Sequence, residues 1–257
     1  MKKQRADLLL VEQRLAEDAS KAQALIMSGA VLCGTKRIDK AGELLKPDAV
    51  LTVKGKAFPW VSRGGLKLVG GLEDSKIDPA GMVCIDVGCS TGGFTDVLLT
   101  RGAKRVYAVD VGYGQLAQKL RTDERVVVLE RMNARYLTEE HIPEPVDLIV
   151  CDASFIRLEN VLPRPMSFAK KTGASLIALI KPQFEVEKHL VGENGVVRDS
   201  AVHQAVCDHV REWIGGLPGW TVESLCPSPI KGPEGNTEFL ISARYSLSGQ
   251  TEKTELF

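Results

Sequence analysis

The sequence predicts an α/β protein in which a parallel-dominated, doubly wound Rossmann-like sheet follows a small α/β module. Three observations lead there. Runs that are apolar throughout recur at 83–87, 106–111, 126–129, 146–151, 175–180 and 239–243. Helical patterns lie between or after them, at 92–101, 114–121 and 200–213. Strands buried on both faces and joined by helices make a parallel sheet covered on both sides. The third observation is that the first run ends in an acid and opens into a Gly-rich turn.

The N-terminal module reads separately. Residues 5–15 carry apolar side chains at 8, 9, 11 and 15, close to a helical stripe. Ser20 stands where an N-cap belongs, with Gln23 three residues on, and predicts a helix over 21–28 that stops at Gly29. Short strands follow near 30–33 and 50–53. The stretch 54–65, KGKAFPWVSRGG, carries Pro59 and three glycines and reads as a linker. The expected division is 1–56 for the module, 57–65 for the linker, 66–247 for the sheet domain and 248–257 for a tail.

Composition narrows the function. The 257 residues are 44% hydrophobic and 26% charged, an ordinary globular balance. No apolar run approaches a membrane span, and the basic N-terminus lacks the apolar core of an export signal. Six cysteines, at 33, 84, 89, 151, 207 and 226, form no C-x-x-C pair and no cluster with histidine. They read as reduced thiols of a cytoplasmic protein that binds no metal. The net charge is zero but unevenly spread. Residues 1–67 hold 13 basic and 7 acidic side chains, a net +6, and the remainder is −6. A basic first quarter on a neutral chain suits a polyanion.

The Gly-rich turn, Asp86-Val87-Gly88-Cys89-Ser90-Thr91-Gly92-Gly93-Phe94, has the spacing D-x-G-x-x-x-G. Glycines let a ligand approach the backbone closely. The spacing differs from the G-x-G-x-x-G of dinucleotide binders. It fits S-adenosyl-L-methionine, a zwitterionic sulfonium without a pyrophosphate, better than NAD. Asp86 suits the cationic part of the methionine moiety, directly or through water. Asp110 ends the next strand, ahead of Val111, where an acid can accept from both ribose hydroxyls of a nucleoside. Asn133 follows the third strand.

Two later strands end in charge, at Asp152 and at Lys181. Ligands of open α/β sheets bind at such carboxyl ends. Burying a charge there is costly unless it is paired or used, so the two are either a structural ion pair or part of a site. Spacing alone assigns no role to Lys67 or Glu238.

At this point a family resemblance takes over. Residues 5–55 resemble the S4 RNA-binding domain through Arg5-x-Asp7 before an apolar helix, Ser20-Lys21-x-x-Ala24 and Ile26-x-x-Gly29-x-Val31-x-x-Gly34. Residues 62–245 resemble the FtsJ-like ribose methyltransferases, of the Rossmann-like class I fold. The strings that carry this are WVSRGGLKL (60–68), DVGCSTGGFTDVLL (86–99), VDVGYGQLA (109–117), NAR (133–135), KPQFE (181–185) and GPEGNTEF (232–239). The combination is similar to the TlyA family, often also labelled hemolysins. The resemblance implies 2′-O-methylation of cytidine in ribosomal RNA by a protein expected to be a monomer. It also implies a Lys–Asp–Lys–Glu tetrad, which falls on Lys67, Asp152, Lys181 and Glu238. The implied RNA contacts are Lys2, Lys3, Arg5, Arg14, Lys21, Lys36 and Arg37 in the module, and Trp60 and Arg63 beside the active site. Rival readings are a non-catalytic RNA-binding assembly factor, a membrane-lytic protein and a base methyltransferase. Asp152-Ala153-Ser154-Phe155 is not the N-P-P-[YF] type of motif that base methylation typically uses.

Overall fold

The computed structural model describes residues 3–13, 15–16, 18–47, 49–53 and 59–246. Lys2, Arg14, residues 54–58 of the expected linker and the expected tail lie outside the described residues. The chain divides after Pro59 into two units.

In the first unit the elements are β1 (Gln4–Arg5), α1 (Ala6–Glu12), α2 (Ala19–Met27), β2 (Val31–Cys33), β3 (Lys36–Arg37), β4 (Leu44–Leu45) and β5 (Leu51–Val53). The three strands β3-β2-β5 form one antiparallel sheet, and β1 pairs with β4. Leu9, Leu10, Ala22, Ile26, Val31, Ile38 and Leu51 make a common core. Asp7 is buried beside it. Its carboxylate accepts from Arg5 at 2.6 Å and from Gln23 at 3.0 Å. The Arg5 guanidinium holds the Asp7 carboxyl down at about 2.

The cap of α2 differs from the sequence expectation. Asp18, extended at φ −149°, accepts from the Lys21 amide at 2.8 Å, and the helix is already under way at Ala19. Ser20 therefore lies in the first turn and does not cap. A carboxylate also suits the positive end of the helix dipole, which favours the earlier start.

The second unit contains α3 (Gly64–Ser75), β6 (Val83–Val87), α4 (Gly93–Thr100), β7 (Arg105–Val109), α5 (Gln118–Arg121), β8 (Val126–Leu129), β9 (Leu148–Cys151), α6 (Leu158–Val161), α7 (Pro163–Met166), β10 (Ala174–Ile180), α8 (Pro182–Glu185), α9 (Ser200–Gly215), β11 (Trp220–Pro227) and β12 (Phe239–Tyr245). The sheet order is β11-β12-β10-β9-β6-β7-β8. Strands β6 to β10 are parallel, and β12 runs antiparallel between β10 and β11. Two apolar cores cover its faces, one around Ile85, Ile149 and Ile241 and the other around Leu98, Val150 and Ile177. Strand order reverses between β6 and β9, the place where open α/β sheets form a ligand crevice.

Three further elements depart from the sequence reading. The end of the expected linker is helical, because Gly64 and Gly65 open α3. That helix is glycine-rich because it lies close on its neighbours. A Cβ on Gly71 would stand 2.8 Å from Ile177 Cγ2, and one on Gly65 would stand 2.9 Å from the Trp60 ring. The helix expected over 114–121 shrinks to α5, since Gly114 takes a left-handed φ of +71°. Strand β11 escapes the apolar-run criterion because it is an edge strand, half exposed and bulged between Val222 and Ser224.

Replacing Asp18 by Ala is expected to cost α2 about 1 kcal/mol, while Ser20→Ala changes little. Amide hydrogen exchange along residues 21–27 checks this, and the reverse ranking would restore the serine cap.

Candidate active site

The carboxyl ends of β6, β7 and β9 open onto a cavity of about 540 Å³. Its walls include Val87, Gly88, Ser90, Asp110, Val111, Gln115, Met132, Asn133 and Asp152. The loop after β6 forms one side. Gly88 has φ +80°, and a Cβ there would stand 3.0 Å from the Asp152 carbonyl oxygen. The side chain is absent where two strand ends meet, which leaves backbone as the cavity wall. Gly92, at φ +96°, starts α4 against Leu116 and Leu120.

Asp110 ties this loop to the next one. Its Oδ2 accepts from the Ser90 amide at 2.8 Å and its Oδ1 from the Gly112 amide at 2.7 Å. A carboxylate has about four acceptor sites, so each oxygen keeps capacity for a hydroxyl in the cavity. Asn133 uses its side-chain oxygen to cap the short turn Ala134–Tyr136 through the Arg135 amide. Val111 is exposed at the cavity mouth.

Asp86 does not reach the cavity. It is fully buried under the loop, where its Oδ2 accepts from the Thr95 amide at 2.9 Å and the Thr95 hydroxyl at 2.7 Å. Its Oδ1 has no hydrogen-bond partner among the described residues. Burial pushes its carboxyl up to about 7, against the lowering effect of the Thr95 bonds. The direct contact read from the sequence is thus excluded by position, because the side chain points beneath the loop.

A second cavity of about 280 Å³ adjoins the first. Ser62, Arg63, Lys67, Thr91, Gly93, Phe94 and Lys181 line it, with Gly88, Ser90, Asp152 and Ser154 shared by both. Four charges from four elements converge here. Lys67, on α3, lies 2.6 Å from Glu238 Oε2 and 3.7 Å from Asp152 Oδ2. Lys181, just past β10, lies 2.5 Å from Asp152 Oδ1. Its Nζ also donates to the Asp152 carbonyl at 3.2 Å and to the Ser154 hydroxyl at 2.9 Å. Lys67 and Lys181 are 5% and 6% exposed and line the cavity with Asp152, whereas Glu238, 1% exposed, lines neither cavity and pairs with Lys67. Gly232 makes room for Glu238, since a Cβ there would overlap Oε1 at 2.2 Å. A buried alternating chain of two cations and two anions is the arrangement in which each charge offsets its neighbour's desolvation.

The structure thus gathers Lys67, Asp152, Lys181 and Glu238 together with the loop residues Ser90, Thr91, Gly93 and Phe94. Arg63 is exposed at the second cavity, whereas Trp60 packs on Gly65. In the first unit Arg5, Lys36 and Arg37 pair with Asp7, Glu43 and Asp39, and all three cations remain at least half exposed. Lys3 and Lys21 lie on the surface. The sequence reading missed Ser62, Gln115, Met132 and Ser154 as lining residues. Only Ser154 carried a signal, lying two residues beyond a charged strand end.

Among the described residues no three His, Cys, Asp or Glu side chains are placed to hold a metal ion. Among them, too, no helix is long and apolar enough to cross a membrane.

Fold and site define a class that comparison with known proteins also returns. The family described as FtsJ-like methyltransferase matches residues 60–245, and the S4 domain matches residues 4–51. The second unit is thus an FtsJ-like methyltransferase. Relatives give the finer grouping. The chain is 46% identical over 245 residues to the 16S/23S rRNA (cytidine-2′-O)-methyltransferase TlyA of Mycobacterium tuberculosis (strain ATCC 25618 / H37Rv), covering 93% of this chain and 89% of that one. It is 37% identical to Hemolysin A of Brachyspira hyodysenteriae, covering 92% and 98%. A solved structure described as "Putative hemolysin from Streptococcus thermophilus" is 40% identical, with a TM-score of 0.73, covering 98% of this chain and 92% of that one. The chain belongs to the TlyA family.

The position of Asp86 has a consequence for stability. Between the ordinary 3.8 and about 7 the folded chain keeps a proton that the unfolded chain has released. Stability from this group is therefore present at low pH and is lost as pH rises through that window. Asp86→Asn is expected to flatten this part of the curve. Thermal midpoints of both proteins from about pH 5 to about pH 8 measure it, and parallel curves would contradict the burial argument.

Proposed function

We propose that this protein transfers a methyl group from S-adenosyl-L-methionine to the ribose 2′-hydroxyl of a cytidine in ribosomal RNA, in the cytoplasm. The observation that carries the reading is the buried Lys67–Glu238 and Lys181–Asp152 pairing beside a nucleoside-sized cavity. Family membership supplies the substrate class, since the TlyA relative named above methylates cytidine in rRNA.

The cofactor fits the residues present. Gly88 leaves a backbone cradle that a Cβ would fill, and Asp110 retains acceptor capacity toward the cavity. Asp110, Val111 and Asn133 would hold the nucleoside end. Gly88, Ser90, Thr91, Gly93 and Asp152 would hold the amino-acid end. A cation bound above the loop favours ionised Asp86 beneath it, an indirect role for that acid. When bound, the cofactor supplies a methyl group on a sulfonium, with a neutral thioether as leaving group.

With so good a leaving group, the protein's work lies on the hydroxyl side. Holding the reacting atoms in line can supply roughly 7–11 kcal/mol of the barrier. Lys181 takes the hydroxyl proton and steers the oxygen lone pair, for which it must be neutral; a positioned base adds about 10²–10⁴-fold. Asp152 orients Lys181. Lys67 and Glu238 position the ribose and balance the charge. The first unit binds structured RNA through phosphates, with Lys3, Arg5, Lys21, Lys36 and Arg37 as the group of contacts and Arg63 next to the site.

Labelled methyl transfer to ribosomal subunits and to naked rRNA, followed by nuclease digestion, tests the reading. Label on cytidine ribose is expected with wild type, and Lys181→Ala is expected to lose about 10²-fold or more while still binding cofactor. Transfer to a base, or to no RNA while cofactor binds, would overturn the proposal. Gly232→Ala should displace Glu238 and slow transfer as Glu238→Ala does, measured in the same assay. An unchanged rate would remove Glu238's position from the mechanism.

A further inference from the structure

Lys181 has three polar contacts, and they differ in kind. Two are to Asp152, at the carboxylate Oδ1 and the backbone carbonyl, and the third is to the Ser154 hydroxyl. The contacts to the carbonyl and the hydroxyl are hydrogen bonds, and the carboxylate contact is an ion pair whose Oδ1 accepts no hydrogen bond among the described residues. A neutral amine has two N–H donors and one lone pair. Neither Asp152 oxygen can donate to that lone pair, because a carboxylate and a carbonyl only accept. The serine hydroxyl can do both. In the neutral state the lone pair therefore faces Ser154, the one of these three contacts that can donate to it.

Ser154 also occupies the right place. It lines both cavities, whereas Lys181 lines only the smaller one. Lys181 is 6% exposed, and Ser154 is exposed where the two cavities meet. A hydroxyl substrate approaching a methyl donor in the larger cavity meets Ser154 before it meets Lys181.

We propose that Ser154 is a further catalytic residue, a hydroxyl relay that carries the substrate proton to Lys181. This rests on the methyl-transfer reading above. The substrate O–H bond breaks and its proton joins Ser154 Oγ, while the proton already on Ser154 joins the Lys181 lone pair. The freed oxygen pair forms the O–CH₃ bond, and the C–S bond of the sulfonium donor breaks with its pair going to sulfur. Ser154 ends as a hydroxyl again, and Lys181 ends as an ammonium that releases its proton to water between turnovers.

Single-turnover methyl transfer by the full chain, with S-adenosyl-L-methionine and the ribosomal RNA that wild type labels, tests the relay. Ser154→Ala is expected to slow transfer by about 10²-fold with cofactor affinity unchanged, and Ser154→Thr, which keeps the hydroxyl, to restore most of the rate. In mixtures of light and heavy water the wild-type rate should fall along a bowed curve, as two protons moving together require. The residual rate of Ser154→Ala should fall along a straight line. A Ser154→Ala enzyme at the wild-type rate overturns the relay, as does a straight wild-type curve or a Ser154→Thr enzyme as slow as the alanine variant. If Lys181→Ala is inactive while Ser154→Ala is not, only the relay fails. If wild type places no label on ribose, the underlying reading fails.

Discussion

The contact on which the rest of the second unit depends is the buried pairing of Lys67 with Glu238 and of Lys181 with Asp152. Each member comes from a different element: α3, the end of β9, the end of β10 and the approach to β12. Removing one partner leaves a charge stranded in a low-dielectric pocket, which costs far more than the pair contributes. The four elements are therefore tied to one geometry. The glycines of α3 follow from it. Lys67 reaches Glu238 because the helix lies close on the sheet, and Gly71 lets it do so.

The same logic orders the cofactor side. Asp110 spends one lone pair on each of two loops and holds them at a fixed separation before any ligand arrives. Asp86 and Thr95 do the same from below. A site whose walls are set in advance loses less entropy on binding and aligns its groups at the outset. The acids of these strand ends thus build the loop, Asp110 at the cavity wall and Asp86 beneath it.

Much of this was legible in the residues. Apolar runs gave the parallel strands because burial on both faces leaves no room for alternation. The acid-to-glycine turn marked the crevice, and Asp152 and Lys181 announced themselves as charges ending buried strands. Lys67 and Glu238 did not. Lys67 follows directly on a glycine-bearing stretch that propensity reads as a linker, and its helix exists because packing on the sheet overrides that propensity. Glu238 precedes a strand instead of following one. Only strand direction, which a hydrophobic pattern does not encode, puts it at the same edge as the others. Ser20 and Asp18 show a smaller failure of the same sort: both are good caps, and backbone conformation chose between them.

The antiparallel insertion of β12 has a consequence for how the molecule comes into being. Its slot lies between β10 and β11, so the last strand among the described residues sits inside the sheet and not at its rim. During synthesis β6 to β10 can pair while that slot stays open, β11 has no neighbour until β12 arrives, and Lys67, Asp152 and Lys181 wait without their fourth partner. Residue 238 emerges after the other three members of the network. A nascent or C-terminally clipped chain therefore has the cofactor loop but not the closed charge network. Completion of the sheet and completion of the charge network become a single late event.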